Sequence, residues 1–340
     1  MAGGSSISAR QAFSDSLMEV LCGKEAEAVR PFKCLDQGVV GYVFDLVPLR
    51  LSLKADNTDM NDTPNAWDAQ TSPPLTKLDT SEVVPLLRAS LSPLPQSKLR
   101  LVNSARSPHE ILRLIQHVGI DLFDAEWAQR AADVGVALDF RFPVCMRDVG
   151  GNGNPRTSGN GKCDLGHNLY DTGHAHDFSR LAECFLDGLS AGTGDDIEES
   201  TGLQVCPCAA CSPIPSSSRI SHSLLDSELT STATKATPLP PFTRAYLHHL
   251  LHTHEMSAHS LLVMHNLAVL DAFFAGVRSV LGDIHSDGSD VGGNFAKEVE
   301  RFVDNYDEEL EVFDEARVRW REVEMARGKG RLAREREKQE

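Results

Sequence analysis

The apolar positions of this chain come in short bursts separated by long polar stretches, and each burst has a readable period. Val39-Val40-Gly41-Tyr42-Val43-Phe44 is a brief apolar and aromatic run that predicts a buried strand. Glu82 to Ser90 predicts a helix, and Leu99-Arg100-Leu101-Val102 a second strand. Ser107-Pro108-His109-Glu110 then reads as a capping box with proline in the first helical position. Ile111, Leu112, Ile115 and Val118 supply the apolar face of that helix, and Gly119 marks its end. Ile120 to Asp124 and Val136 to Phe140 predict two further strands. Strand, helix and strand joined by tight turns is the grammar of parallel α/β architecture, in which functional groups gather where strands end. Asp124 falls at such a place.

Further along, Thr243 to Glu255 predicts an amphipathic helix with Tyr246, Leu247, Leu250 and Leu251 on one face, and Ser260 to Leu281 a second helix closed by Gly282. From Asn294 the pattern predicts one long charged helix. Phe295, Val299, Phe302, Tyr306, Leu310 and Phe313 form its narrow apolar stripe, which reads as packing surface. Between these blocks lie stretches that read as polar inserts: 53–79, 147–162, 187–201 and the segment between Cys211 and Phe242. The glycines of the second insert do not make a phosphate cradle, because no lysine-serine pair and no helix follow them. The organisation expected is a partial barrel region over 1–200, a metal-binding subdomain with closing helices over 201–283, and a charged C-terminal helix over 284–340.

At 340 residues the chain can bury a substantial core, enough for one large or two modest domains. A net charge of -16 argues against a self-sufficient nucleic-acid binder, since phosphate binding needs a basic face. The exception is Arg317 to Lys338, where Arg and Lys interleave with glutamates; it reads as a solvated, salt-bridged helix. No apolar run is expected to span a bilayer, and Met1-Ala2-Gly3-Gly4 opens no secretory signal. Eight cysteines without even spacing indicate a reducing compartment, and a cytoplasmic location is expected, free or at an organelle surface.

The chemistry concentrates at Cys206-Pro207-Cys208-Ala209-Ala210-Cys211. Three thiols in six residues can converge on one ion, and an imidazole from a later helix would complete a tetrahedron with no open position. Soft thiolates plus one imidazole suit zinc in a structural role. Cys22, Cys34, Cys145, Cys163 and Cys184 are scattered singly and carry no such pattern. His248, His249, His252, His254, His259 and His265 are all candidates for the fourth ligand.

Taken together, the cysteine cluster, Thr243-Arg244-Ala245-Tyr246-Leu247-His248-His249-Leu250 and Met264-His265-Asn266-Leu267 resemble the zinc region of queuine tRNA-ribosyltransferases. That region reads C-x-C-x-x-C, T-R-A-Y-x-H-H-L and a closing H-N, in this order. Gly119 to Asp124 is similar to the family's G-V-D-M-F-D strand. Asn168-Leu169-Tyr170 and Asp177-Phe178 resemble the segment leading into its cysteines. The likeness covers roughly residues 99–281. It implies a TIM barrel, here partial, with an inserted zinc-binding subdomain, and exchange of a tRNA anticodon guanine for queuine or a precursor. It selects Cys206, Cys208, Cys211 and His265 as ligands of one zinc ion and puts Asp124 where catalytic members hold their nucleophile.

Three departures shift the expectation away from catalysis. After Asp124 the catalytic members read C-V-x-P-T-R, whereas Ala125-Glu126-Trp127-Ala128-Gln129-Arg130 stands here. Their base-cradling G-G-L-x-V-G-E loop is replaced by Phe44-Asp45-Leu46-Val47-Pro48-Leu49-Arg50, which has no glycine to let the backbone approach a ligand. Residues 1–38 offer no counterpart of the family's first barrel strands or its second aspartate. The resemblance therefore implies the family's non-catalytic accessory branch, with no catalytic residue of its own and Asp124 vestigial. Such a subunit forms a heterodimer with a catalytic subunit and meets tRNA through the complex. The alternatives are an active transglycosylase using Asp124, or a zinc-stabilised scaffold without a tRNA role.

Overall fold

The computed structural model describes residues 3–57, 80–144, 161–183, 206–213, 239–287 and 291–337. The expected insert at 187–201 and most of those at 53–79, 147–162 and 211–242 lie outside these residues. The chain forms two compact units, Met1–Trp127 and Ala128–Glu340. Together they make a mixed α/β protein, and no closed barrel is seen among the described residues.

In the first unit, helices α1 (Ile7–Met18) and α2 (Gly23–Ala28) precede strand β1 (Gly41–Asp45), helix α3 (Leu46–Asn57) and helix α4 (Thr80–Leu91). Strand β2 (Leu99–Asn103), helix α5 (Pro108–Val118) and strand β3 (Leu122–Phe123) follow. The three strands form one parallel sheet in the order β1-β2-β3, with Gly41 opposite Leu99 and Leu101 opposite Leu122. Tyr42 and Phe44 are buried while Val43 between them is exposed, so β1 covers one face only. Beneath that face Leu87, Val83 and Leu91 of α4 meet Val102, Leu46 and Leu114 in a single apolar cluster.

Helix α5 forms as its sequence dictates. The Ser107 side chain accepts from the Glu110 N–H, Pro108 occupies the first turn, and Gly119 ends the helix at φ 72° and ψ 52°, a left-handed conformation. Two expectations need correction here. Residues 53–57 are helical, because α3 starts the residue after β1 ends and continues to Asn57. The third strand is only Leu122–Phe123, although the Asp121 and Asp124 N–H groups beside it also bond to the Arg100 and Val102 carbonyls of β2.

The second unit contains β4 (Val136–Leu138), β5 (Gly166–Asn168), and helices α7 (Arg244–His252), α8 (Met256–Asp287), α9 (Val291–Asn305) and α10 (Glu311–Glu337). Helix α6 (Glu126–Asp133) leads into it. The expected strand at Val136 does not extend the parallel sheet. It pairs antiparallel with β5, Ala137 facing His167, and stops at Leu138. Past its end, Phe140 packs edge-on against Phe273 of α8, with centroids 5.7 Å apart, and against Phe302 of α9 at 6.1 Å.

The long C-terminal helix is in fact two. All six stripe residues are buried as expected, but Leu310 takes φ 60° and the helix breaks over 306–310. Its cause is a local strand-like contact: Cys163 N–H donates to Asn305 O and Asp307 N–H to Cys163 O, both at 2.8 Å. The Asp307 carboxylate then accepts from Glu309 and Glu311 N–H groups, restarting the helix. A second correction concerns α8. Residues Met256–Gly282 are long and apolar enough, by length and composition alone, to cross a membrane. Leu262, His265, Asn266, Val269 and Phe273 form a buried face of this helix, while Met256 and Met264 are exposed.

Candidate metal centre

Helix α8 presents His265 and the loop at 206–211 presents its three cysteines to a common point. The Nδ1 atom of His265 lies 3.6 Å from Cys206 Sγ, 3.7 Å from Cys208 Sγ and 3.4 Å from Cys211 Sγ. All four donor atoms fall within 4.8 Å of one another, and all four residues are buried. None of the three sulfurs is in a disulfide. A tetrahedral ion with Zn–S of about 2.3 Å and Zn–N of about 2.0 Å separates sulfur from nitrogen by about 3.5 Å along each edge. The observed spacings match that edge, so the donor set and its size both fit a single ion.

The surroundings prepare the donors. His265 Nε2 sits 2.9 Å from the Leu138 carbonyl, which can only accept. The Leu138 carbonyl therefore keeps a proton on Nε2, and Nδ1 is the nitrogen that can offer a lone pair to an ion shared with the sulfurs. In the loop, the Cys211 N–H donates to Cys208 Sγ at 3.2 Å, Ser212 N–H to the Cys208 carbonyl and Ser212 Oγ to the Cys206 carbonyl. Phe242 N–H bonds the Ala210 carbonyl, tying the loop to the start of α7. The protons of the bare side chains are shared unequally. Bonding to Cys206 and Cys211 draws the Cys208 thiol down, and bonding to Cys206 and Cys208 pushes Cys211 up. Burial opposes a charge on His265, but the Cys206 and Cys208 sulfurs outweigh it and lift the imidazole to about 9. A divalent ion would take the place of those shared protons and hold the cysteines as thiolates.

The other histidines are engaged elsewhere. His248 Nδ1 faces the Leu169 carbonyl, His252 Nδ1 its own helix at the His248 carbonyl, His254 pairs with Glu324, and His259 with Asp133. His249 is exposed. Helix α7 contributes a different feature, which the sequence did not disclose: its buried Arg244. The guanidinium lies 2.8 Å from His167 Nε2, 3.2 Å from Glu183 Oε1 and 3.4 Å from Asp177 Oδ2. Burial works against ionising Asp177, but bonds from Ser179 and His174, with the Arg244 charge, hold its carboxyl well below the usual range. Arginine inside a T-R-A-Y motif was the available signal, and only the fold supplies its partners.

Asp124 is far from this centre in sequence and stands in the first unit, just past β3. Its Oδ2 accepts from the Ser104 N–H at 2.8 Å and its Oδ1 from the Glu126 N–H at 3.4 Å. Ser104 itself has φ 63° and donates through Oγ to Glu126 Oε2 at 2.5 Å. Beside them, buried Arg50 of α3 makes a two-pronged pair with Glu110, at 2.7 and 2.5 Å, and also donates to the Ser104 carbonyl. The strand-end carboxylate thus braces the ends of β2 and α6.

Residues 197–306 match the family model for queuine tRNA-ribosyltransferase, a span that takes in all four clustered donors. The chain is similar to the queuine tRNA-ribosyltransferases. Among curated proteins it is 27% identical over 221 residues to a queuine tRNA-ribosyltransferase accessory subunit 2 of Schizosaccharomyces pombe, which is 64% of this chain and 35% of that protein. It is 28% identical over 203 residues to the accessory subunit 2 of Caenorhabditis elegans, covering 60% and 37%. For that of Ixodes scapularis the identity is 29% over 209 residues, covering 61% and 39%. The chain therefore spans little more than a third of the length of the curated relatives it matches.

Proposed function

We propose that this chain acts as a non-catalytic accessory subunit in tRNA queuosine modification, pairing with a catalytic queuine tRNA-ribosyltransferase subunit that exchanges the wobble guanine for queuine. The observation that carries this reading is the buried cluster of Cys206, Cys208, Cys211 and His265 within a stretch similar to that family. These four residues would hold one zinc ion. With four protein donors the site is closed, so the ion would supply structure and no reactive position. It would fix the cysteine loop against α7 and α8. The parallel β1-β2-β3 sheet would derive from a TIM barrel of the family type, and the complex would work in the cytoplasm.

Two further observations support a subunit without its own chemistry. A nucleophilic carboxylate must reach a sugar carbon, but both Asp124 oxygens accept backbone N–H bonds in this fold. Where catalytic relatives are expected to cradle a base, α3 follows β1 without an intervening loop, and Arg50 closes on Glu110 and Ser104.

The test is a pull-down from the native cell, followed by a base-exchange assay with labelled guanine and tRNA. The isolated chain should incorporate nothing, and adding the recovered catalytic subunit should restore incorporation. Incorporation by the chain alone, abolished by Asp124→Asn, would overturn the proposal in favour of an active transglycosylase. Failure to recover any such subunit would favour a scaffold without a tRNA role.

A further inference from the structure

Strand β4 is bonded to β5 along one edge only. Gly135 O receives the Leu169 N–H, Asp139 N–H donates to Leu165 O, and Ala137 pairs with His167. Strand alternation then turns the backbone groups of Val136 and Leu138 to the opposite edge, where α8 lies instead of a strand. The middle of a helix has no spare backbone donors or acceptors, because its own ladder uses them. Two adjacent side chains of α8 supply what a neighbouring strand would have supplied.

Asn266 Oδ1 accepts from Leu138 N–H at 2.9 Å, and Asn266 Nδ2 donates to Val136 O at 3.0 Å and Ala128 O at 3.2 Å. His265 Nε2 takes the remaining Leu138 carbonyl at 2.9 Å. Both side chains are wholly buried. A carboxamide holds an acceptor oxygen and an NH2 group with two donors in one rigid plane, so its oxygen and one N–H can span neighbouring groups of a strand edge in only one register while the second N–H takes Ala128 O. That register also decides which imidazole nitrogen meets the cysteines.

We propose that Asn266 is a positioning residue for the metal centre: it locks α8 against β4 so that His265 Nε2 is committed to Leu138 and Nδ1 is presented to the three sulfurs. The proposal rests on the reading of the cluster as a zinc site. Asn266 touches no donor sulfur, and its influence runs through the strand edge it shares with His265. Partners of this kind, one bond removed from the ion, alter metal affinity by about 10- to 100-fold when removed.

The experiment compares the full chain with Asn266→Ala, Asn266→Asp and, as a stability control, Phe302→Leu in the aromatic core around Phe140. Each is loaded with zinc, and its transfer to a chromogenic chelator is followed. Each is also loaded with cobalt, whose visible absorption reports the ligand geometry. Asn266→Ala should hold zinc about 10- to 100-fold more weakly and distort the cobalt spectrum. Asn266→Asp keeps an acceptor for Leu138 N–H but turns a carboxylate oxygen against the Val136 and Ala128 carbonyls, so it should weaken zinc binding at least as much as Asn266→Ala, and it carries the test if the alanine variant does not fold. Phe302→Leu should lower thermal stability and leave the affinity and spectrum unchanged. An Asn266→Ala protein with the parent's affinity and spectrum, or one that loses no more affinity than Phe302→Leu, overturns the proposal. A parent protein that takes up neither metal sinks the zinc reading itself, and this one with it.

Discussion

Removing the charge of Glu110 should destabilise the first unit severely, and replacing its partner should undo much of the damage. Arg50 and Glu110 have side chains only 6% and 5% exposed and meet through two bonds of 2.7 and 2.5 Å. Glu110→Gln keeps the shape and still offers an oxygen to the Arg106 N–H that Glu110 now serves. It opens no cavity, so the loss comes from the stranded guanidinium. Breaking a buried pair in this way costs about 3–5 kcal/mol, whereas an apolar replacement of such a pair is often neutral. Arg50 Nε already lacks a partner among the described residues, which leaves the pair less than fully satisfied. The double variant Arg50→Met with Glu110→Gln should therefore regain all but about 1–2 kcal/mol of the parent's stability. Because the chain has two units, the measurement is amide hydrogen exchange at Tyr42–Phe44 and Leu101–Val102, which reports opening of the parallel sheet itself. A single variant that costs under about 1 kcal/mol, or a double variant no more stable than Glu110→Gln, would refute the reasoning.

Three other outcomes follow from the second unit. Cys211→Ala should abolish stoichiometric zinc uptake and lower exchange protection in β4 and α7, because the metal and the fold share their free energy; unchanged uptake by elemental analysis would contradict the assigned ligands. Gly276→Ala should destabilise the packing of α8, since an added Cβ would meet the Phe142 carbonyl oxygen at 1.7 Å. Backbone cannot yield as a flexible side chain would, so a loss of at least about 1–3 kcal/mol is expected in thermal unfolding. For Asp177 the folded pKa lies below the ordinary 3.8, so its stabilisation is complete above that value and fades as pH falls through and below it. Asp177→Asn should be less stable at neutral pH and lose less on acidification than the parent, read from denaturation midpoints at about pH 6 and pH 3. Parallel curves for the two proteins would show that Asp177 is not the group responsible.

Local rules made much of this protein legible. The capping box at Ser107 and the left-handed stop at Gly119 depend on neighbours a few residues away, and each stands where its spacing put it. The three cysteines were nameable because their residue type is rare and chemically specific, whereas His265 stood out from five other histidines only through its likeness to the family's H-N motif. What escaped depends on partners distant in sequence. The break before Glu311 needs Cys163, about 140 residues upstream, to bond at Asn305 and Asp307. The antiparallel pairing of β4 needs β5 from beyond a long insert, so the strand's apolar run could not reveal its direction. Helix α8 starts before the predicted Ser260 and runs past Gly282 to Asp287, because a single glycine inside a helix packed by Leu262, Val269 and Phe273 does not end it.

The junction between Asp45 and Leu46, where strand passes directly into helix, sets a limit on what substitution can achieve. A turn that curls around a flat ring needs chain length of its own, and here every residue is already committed to one element or the other. Installing glycines at these positions would fray the start of α3 without creating a hollow. Any effort to give this sheet a nucleobase pocket must begin by adding residues at that seam and by evicting Arg50 from the space they would fill.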